Sequence, residues 1–143
     1  AQSPETYFGS DRNEYLGNGI PSRAGEQSYT LPTTLRPNTL YLSGVWNITA
    51  ENAKSIKNSK VVYHYSAKDV YLVASADPAV EIEVWQDGQL VTDSVGVDVN
   101  KQGVLTIKAS RLYKLIHNNK PGEHILELRI RGFGALLYAF TFG

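Results

Sequence analysis

Three histidines, His64, His117 and His124, are the first side chains to test for chemistry. A metal-binding pair needs i, i+2 spacing on a strand face or i, i+4 on a helix face, and none of the three meets either. His64 reads as a strand residue pointing opposite to Tyr63 and Tyr65, and His124 as a residue entering a strand after Pro121-Gly122. Glu81 and Glu83 fall on one strand face, about 7 Å apart by strand geometry. A carboxylate pair at that separation suits glycoside hydrolysis. It lies on the solvent side of a hairpin arm rather than in a cleft, so a structural role is expected. The loop 93–103 offers Asp93, Asp98 and Asn100 as the hard oxygen donors that calcium prefers. Their order is not that of an EF-hand and Lys101 intrudes, so Asx-type turns are the expected role, with calcium as the alternative. No G-x-S-x-G elbow occurs. The chain has no cysteine, which excludes thiol chemistry, disulfides and cysteine-based zinc sites. No catalytic residue, metal or cofactor is therefore expected.

The aromatic residues point to binding instead. Pyranose C–H faces stack on flat rings while sugar hydroxyls find polar partners. Trp46 shares a strand face with Leu42 and Ile48 and is expected in the core. Trp85 shares the Glu81/Glu83 face next to a turn and is expected to be exposed. Tyr7, Arg12 and Tyr15 lie in a non-periodic N-terminal stretch. With Trp85 they make the candidate ligand-binding set: Tyr7, Arg12, Tyr15 and Trp85.

Short strands must position these groups. Alternation of apolar and polar residues marks Val80–Gln86, Glu123–Arg131 and Ala135–Phe142, the last with Leu136, Tyr138, Phe140 and Phe142 on one face. Further strands are expected over Ser28–Leu31, Leu40–Thr49, Lys60–Ala67, Asp69–Ser75, Gln89–Asp93, Val104–Ala109 and Leu112–His117. Asp87-Gly88 suits a two-residue type I′ hairpin. One short helix is expected over Ala50–Ile56, capped by Thr49. The fold class is all-β: an antiparallel β-sandwich of jelly-roll type. Residues 1–27 read as an ordered arm, because Tyr7, Phe8, Tyr15, Leu16 and Ile20 are too apolar for a solvated linker, and residues 28–143 as the sandwich. The 143 residues make one domain. Fourteen basic and fourteen acidic residues cancel, so no basic field exists for nucleic acid or an anionic membrane. The chain starts at Ala1 and holds no methionine, and it reads as a piece excised from a longer chain.

Six stretches taken together carry a family resemblance. They are Ser3-Pro4-Glu5-Thr6-Tyr7-Phe8-Gly9, Glu14-Tyr15-Leu16, Leu42-Ser43-Gly44-Val45-Trp46, Gly96-Val97-Asp98-Val99, Arg111-Leu112-Tyr113-Lys114-Leu115-Ile116 and Tyr138-Ala139-Phe140-Thr141-Phe142-Gly143. In this order the chain resembles the C-terminal domain of DipZ-like proteins, the thioredoxin-like C-terminal domain family. Leu137 departs from the smaller residue expected before Tyr138. The resemblance implies a jelly roll like that of a carbohydrate-binding module. It implies a parent with a thioredoxin-like domain upstream, in many cases a CcdA-like membrane domain, and a place outside the cytoplasm in thiol–disulfide exchange and cytochrome c biogenesis. This chain would then be a non-catalytic accessory domain that binds a glycan or the protein client of its neighbour. The alternative is a purely structural domain that rigidifies or shields the thioredoxin-like domain. Contact with a membrane would come only through other parts of the parent.

Overall fold

The structure is a computed structural model and describes residues 2–143; Ala1, the first residue of the expected arm, lies outside the described residues. Nine strands form among the described residues: β1 (Thr6–Tyr7), β2 (Gly25–Tyr29), β3 (Leu40–Ile48), β4 (Ala53–Ser75), β5 (Val80–Gln86), β6 (Gln89–Leu90), β7 (Val104–Ile107), β8 (Arg111–Ile130) and β9 (Leu136–Phe142). All strand pairs are antiparallel. The fold is an all-β antiparallel sandwich, and no helix forms among the described residues.

Two long strands, β4 and β8, run through both layers. The first part of β4 lies between β3 and the second part of β8, which in turn pairs with β5. The second part of β4 lies between β9 and the first part of β8. The switch occurs at Lys68, where the pairing shifts and the N–H groups of Lys68 and Asp69 both donate to the Gly143 carbonyl at 3.0 Å. Opposite this point, residues 118–121 of β8 have no partner on β4. Pro121 has no N–H to donate, so it fits this unpaired excursion. The turn expected at Pro121-Gly122 is therefore a bulge inside one strand, and Leu112–His117 and Glu123–Arg131 join across it.

The expected helix over Ala50–Ile56 is replaced by a hairpin. Thr49 caps a turn, not a helix: its N–H donates to the Asn52 carbonyl at 2.9 Å and its hydroxyl accepts from the Asn52 N–H at 3.2 Å. The chain then enters β4 with Ala53 against Ile48 and Ser55 against Trp46. Ser55 and Ser59 hide the period-2 signal because they are polar yet buried. The Ser55 hydroxyl accepts from the Ala135 N–H at 3.0 Å, and the Ser59 hydroxyl donates to the Val45 carbonyl at 2.9 Å.

β9 differs from its expected single face. The pairing shifts at Tyr138, so Leu137 is buried, Leu136 and Tyr138 are only half-buried, and Phe140 and Phe142 return to the core. The core holds Trp46, fully buried, its indole N–H donating to the Ser43 carbonyl at 2.9 Å. Beside it an aromatic cluster links Phe8, Tyr63, Tyr65, Phe140 and Phe142 through ring contacts of 5.2–5.9 Å.

A bulge in β3 centres on Gly44, where φ is +81°. A Cβ there would come within 2.2 Å of the Asn58 carbonyl oxygen, so both the backbone conformation and the space demand glycine. Gly44→Ala is expected to cost roughly 2–3 kcal/mol, the range of strained backbone substitutions. A urea titration checks this: the midpoint falls with an unchanged slope, and an unchanged midpoint would contradict the argument.

Candidate functional site

The structure divides the four residues singled out from the sequence. Tyr7 and Arg12 come together, with the guanidinium carbon 3.7 Å from the Tyr7 ring centre. They edge a hollow of about 400 Å³ that also includes Asp11 and Glu51. The Tyr7 hydroxyl donates to Glu5, and that bond raises its pKa above the ordinary phenol value. Tyr15 is 39% exposed and lies outside this hollow; its carbonyl accepts from the Leu40 N–H at 2.9 Å.

Trp85 lies apart from both, on β5, and is half-buried rather than exposed. The reason is a lid. Arg129, on the neighbouring strand β8, places its guanidinium carbon 3.9 Å from the ring. The Trp85 indole N–H donates to Glu83 at 3.0 Å, which lowers the Glu83 pKa first, with Arg131 assisting. Arg131 pairs with Glu81 at 3.2 Å and with Glu83 at 3.1 Å. The two carboxylates that could have suggested hydrolysis thus share one guanidinium on a flat sheet face.

The loop donors are also engaged by the protein. Asp98 pairs with Arg111 at 3.0 Å and accepts from the Lys114 N–H at 2.7 Å; the Arg111 bond holds its carboxyl below the usual range. Asn100 closes Asx turns, its side-chain oxygen accepting from the Gln102 and Val104 N–H groups at 2.9 and 3.0 Å. Asp93 stands apart in a neighbouring shallow pocket with Asp87 and Gln89. Each histidine meets one carboxylate: His64 with Glu123 at 3.1 Å, His117 with Asp69 at 2.5 Å and His124 with Asp87 at 2.6 Å. No group of three or more potential metal ligands converges among the described residues.

A larger concavity lies at one end of the sandwich. Three loops meet there: the β4–β5 loop with Asp77 and Pro78, the β7–β8 loop with Lys108 and Ser110, and the β8–β9 loop with Gly132, Phe133 and Gly134. Lys54, at the start of β4, completes its rim. Its volume is about 880 Å³, inside the ~300–1,000 Å³ span of small-ligand sites. Phe133 stands beside it 73% exposed, with no ring partner among the described residues. In the sequence, Gly132-Phe133-Gly134 is only the connection left between the expected strands Glu123–Arg131 and Ala135–Phe142. The available signal was an aromatic between two glycines, a pattern that can hold a ring away from the core.

Residues 3–143 match the family described as thioredoxin-like C-terminal domain. The chain is 32% identical over its whole length to "Protein DipZ" of Mycobacterium bovis and of Mycobacterium tuberculosis, and it spans 19% of the length of each. Among solved structures it is similar to a family two carbohydrate esterase from Cellvibrio japonicus, with a TM-score of 0.54 and 13% identity over 82% of this chain and 32% of that one. It is also similar to a glycoside hydrolase family 43 arabinoxylan arabinofuranohydrolase from Bacillus subtilis, with a TM-score of 0.50 and 14% identity over 99% of this chain and 27% of that one. At these identities the likeness is one of fold.

Proposed function

Since the chain belongs to the thioredoxin-like C-terminal domain family, we propose that it is a non-catalytic accessory binding domain of a DipZ-like, extracytoplasmic thiol–disulfide oxidoreductase. With no cysteine in this chain, thiol–disulfide exchange falls to other parts of the parent, and a role in cytochrome c biogenesis would be theirs. The ligand is a carbohydrate or the protein client of the neighbouring thioredoxin-like domain. The observation that carries this reading is the open cleft at the loop end of the sandwich, with an exposed aromatic held at its mouth. A cleft of ligand size with a few polar groups beside an aromatic ring is the usual form of a small-molecule site. The Bacillus subtilis neighbour was solved in complex with cellotetraose, which fits a sugar-binding use of this fold.

A second reading is a purely structural domain that rigidifies or shields the thioredoxin-like domain. One observation favours it: Arg12 covers Tyr7 and Arg129 covers Trp85, so two of the candidate rings already have partners. A glycan array followed by calorimetry separates the two. The binding reading expects at least one cell-envelope polysaccharide to bind at roughly 10–1000 µM, because few stacked rings must offset sugar desolvation. Absence of binding to every polysaccharide, and to a reduced client of the parent, would favour the structural reading.

A further inference from the structure

We propose that the Phe133 cleft takes a sugar ring bearing a carboxylate, with Phe133 as the stacking platform and Lys54 and Lys108 as the anion partners. This rests on the binding-domain reading and gives it a place and a ligand class.

The first support is how Phe133 is held. Gly132 and Gly134 have φ of +77° and +95°, and a Cβ on either would meet nothing within 4 Å. Both glycines thus serve backbone conformation, not room for a neighbour. The loop is fastened on both sides. The Arg131 N–H donates to the Glu81 carbonyl at 2.9 Å, and the Gly134 N–H donates to the Ser55 carbonyl at 2.8 Å. The Ala135 N–H adds a bond to the buried Ser55 hydroxyl at 3.0 Å. An anchored loop that presents an uncovered phenyl ring is preorganised for a flat apolar face, which the C–H side of a pyranose supplies.

The second support is the charge left over in the cleft. Arg131 is matched by Glu81 and Glu83. Lys54 and Lys108 are exposed and form no ion pair among the described residues. Outside the Arg131–Glu81–Glu83 set, the lining holds two ammonium groups, Lys54 and Lys108, against one carboxylate, Asp77. Asp77 and Ser110 lie on the same lining and offer oxygens to sugar hydroxyls. A neutral glycan would use the ring and the hydroxyl partners but leave both ammonium groups unmatched. A carboxylate-bearing sugar uses all of them.

The test is calorimetry on the chain at low and high salt with four probes. They are a galacturonic acid oligomer, whose carboxylate is on the ring; N-acetylmuramic acid, whose carboxylate is on a lactyl ether; a neutral cello-oligosaccharide; and a polyglutamate peptide. One or both acidic sugars are expected to bind at roughly 10–1000 µM and to weaken as salt rises. Which of the two binds identifies the source of the carboxylate. Phe133→Ala should weaken binding at least tenfold. The double change Lys54→Ala and Lys108→Ala should abolish the preference over the neutral oligomer. All three positions are exposed, so thermal melts should match the parent chain. Tighter binding of the neutral oligomer or of the peptide overturns the proposal, as does a Phe133→Ala variant that binds normally. If Tyr7→Ala or Trp85→Ala, and not Phe133→Ala, removes glycan binding, this assignment fails while the binding-domain reading stands. If no glycan binds at all, the assignment fails together with the carbohydrate form of that reading, and only a client ligand remains.

Discussion

Removing residues 1–27 is expected to abolish the cooperative melting transition. The segment contributes Phe8 and Leu16 to the core, and both are buried. Phe8 meets Phe140 at 5.3 Å between ring centres, and β1 adds an edge strand to β9. Deletion also strands buried polar groups. The Tyr63 hydroxyl loses Thr6 at 2.7 Å, and the Ser66 N–H loses the Ser3 hydroxyl at 2.8 Å. Asn18, which bonds the Leu42 N–H and C=O at 3.1 and 2.8 Å, goes as well, and so does the first half of β2. Losing a buried Phe costs about 3–5 kcal/mol and a buried Leu about 2–5. A domain of this size has roughly 5–15 kcal/mol to lose. The single change Phe8→Ala gives a graded version: a melting temperature lower by roughly 10–15 °C. Calorimetry and amide NMR dispersion check both. A truncated chain that melts cooperatively at the full-length temperature would show that residues 1–27 are only a linker.

Tyr15 shows what the sequence could not say about this segment. Phe8 and Leu16 are buried, yet Tyr15 between them is exposed, since without a strand period parity assigns no face. Where alternation runs uninterrupted the reading was accurate. Val80–Gln86 is a strand at those bounds, and Asp87 and Gly88 both take positive φ in its hairpin turn. Reading failed where a local exception broke the period. Ser55 and Ser59 are polar residues satisfied by backbone partners inside the core, so a strand looked like a helix start followed by a loop. Tyr138 sits at a bulge that switches the inner face of β9 from odd to even residues. Trp85 keeps its expected face but not its expected exposure, because Arg129 becomes its neighbour only through β5–β8 pairing. The cleft was hidden for the same reason. Its walls come from loops far apart in the chain, and no short motif records that Lys54, Lys108 and Phe133 share one end of the fold.

Raising the pH above about 10 is expected to unfold the protein steeply, and Tyr65 is the residue with the clearest part in it. Burial pushes the phenol pKa values of Tyr29, Tyr63 and Tyr65 above their ordinary value, that of Tyr65 furthest. A raised folded pKa favours the protonated form in the native state. The stabilisation is complete below the unfolded value of about 10 and is lost as pH climbs toward the folded value. Between the two, the unfolded chain binds fewer protons, and each such phenol lowers stability by about 1.4 kcal/mol per pH unit. Tyr65 also closes a hydrogen-bonded ring in the interior. Its hydroxyl donates to Gln86 and accepts from Asn118 at 2.9 Å, and Gln86 donates to Asn118 at 2.9 Å. Asn118 lies in the β8 excursion that lets the strand cross between layers, so the ring fastens that crossing to β5. Tyr65→Phe should therefore have two opposite signatures. At pH 7 it removes about 1–3 kcal/mol, because Gln86 and Asn118 each lose a buried partner. Above pH 10 it flattens the fall in stability by one proton's worth, since the variant has one fewer phenol to ionise on unfolding. Urea titrations at pH 7, 10 and 11 measure both. An alkaline slope in Tyr65→Phe equal to that of the parent chain would mean that Tyr65 ionises as readily in the folded protein as in the unfolded one.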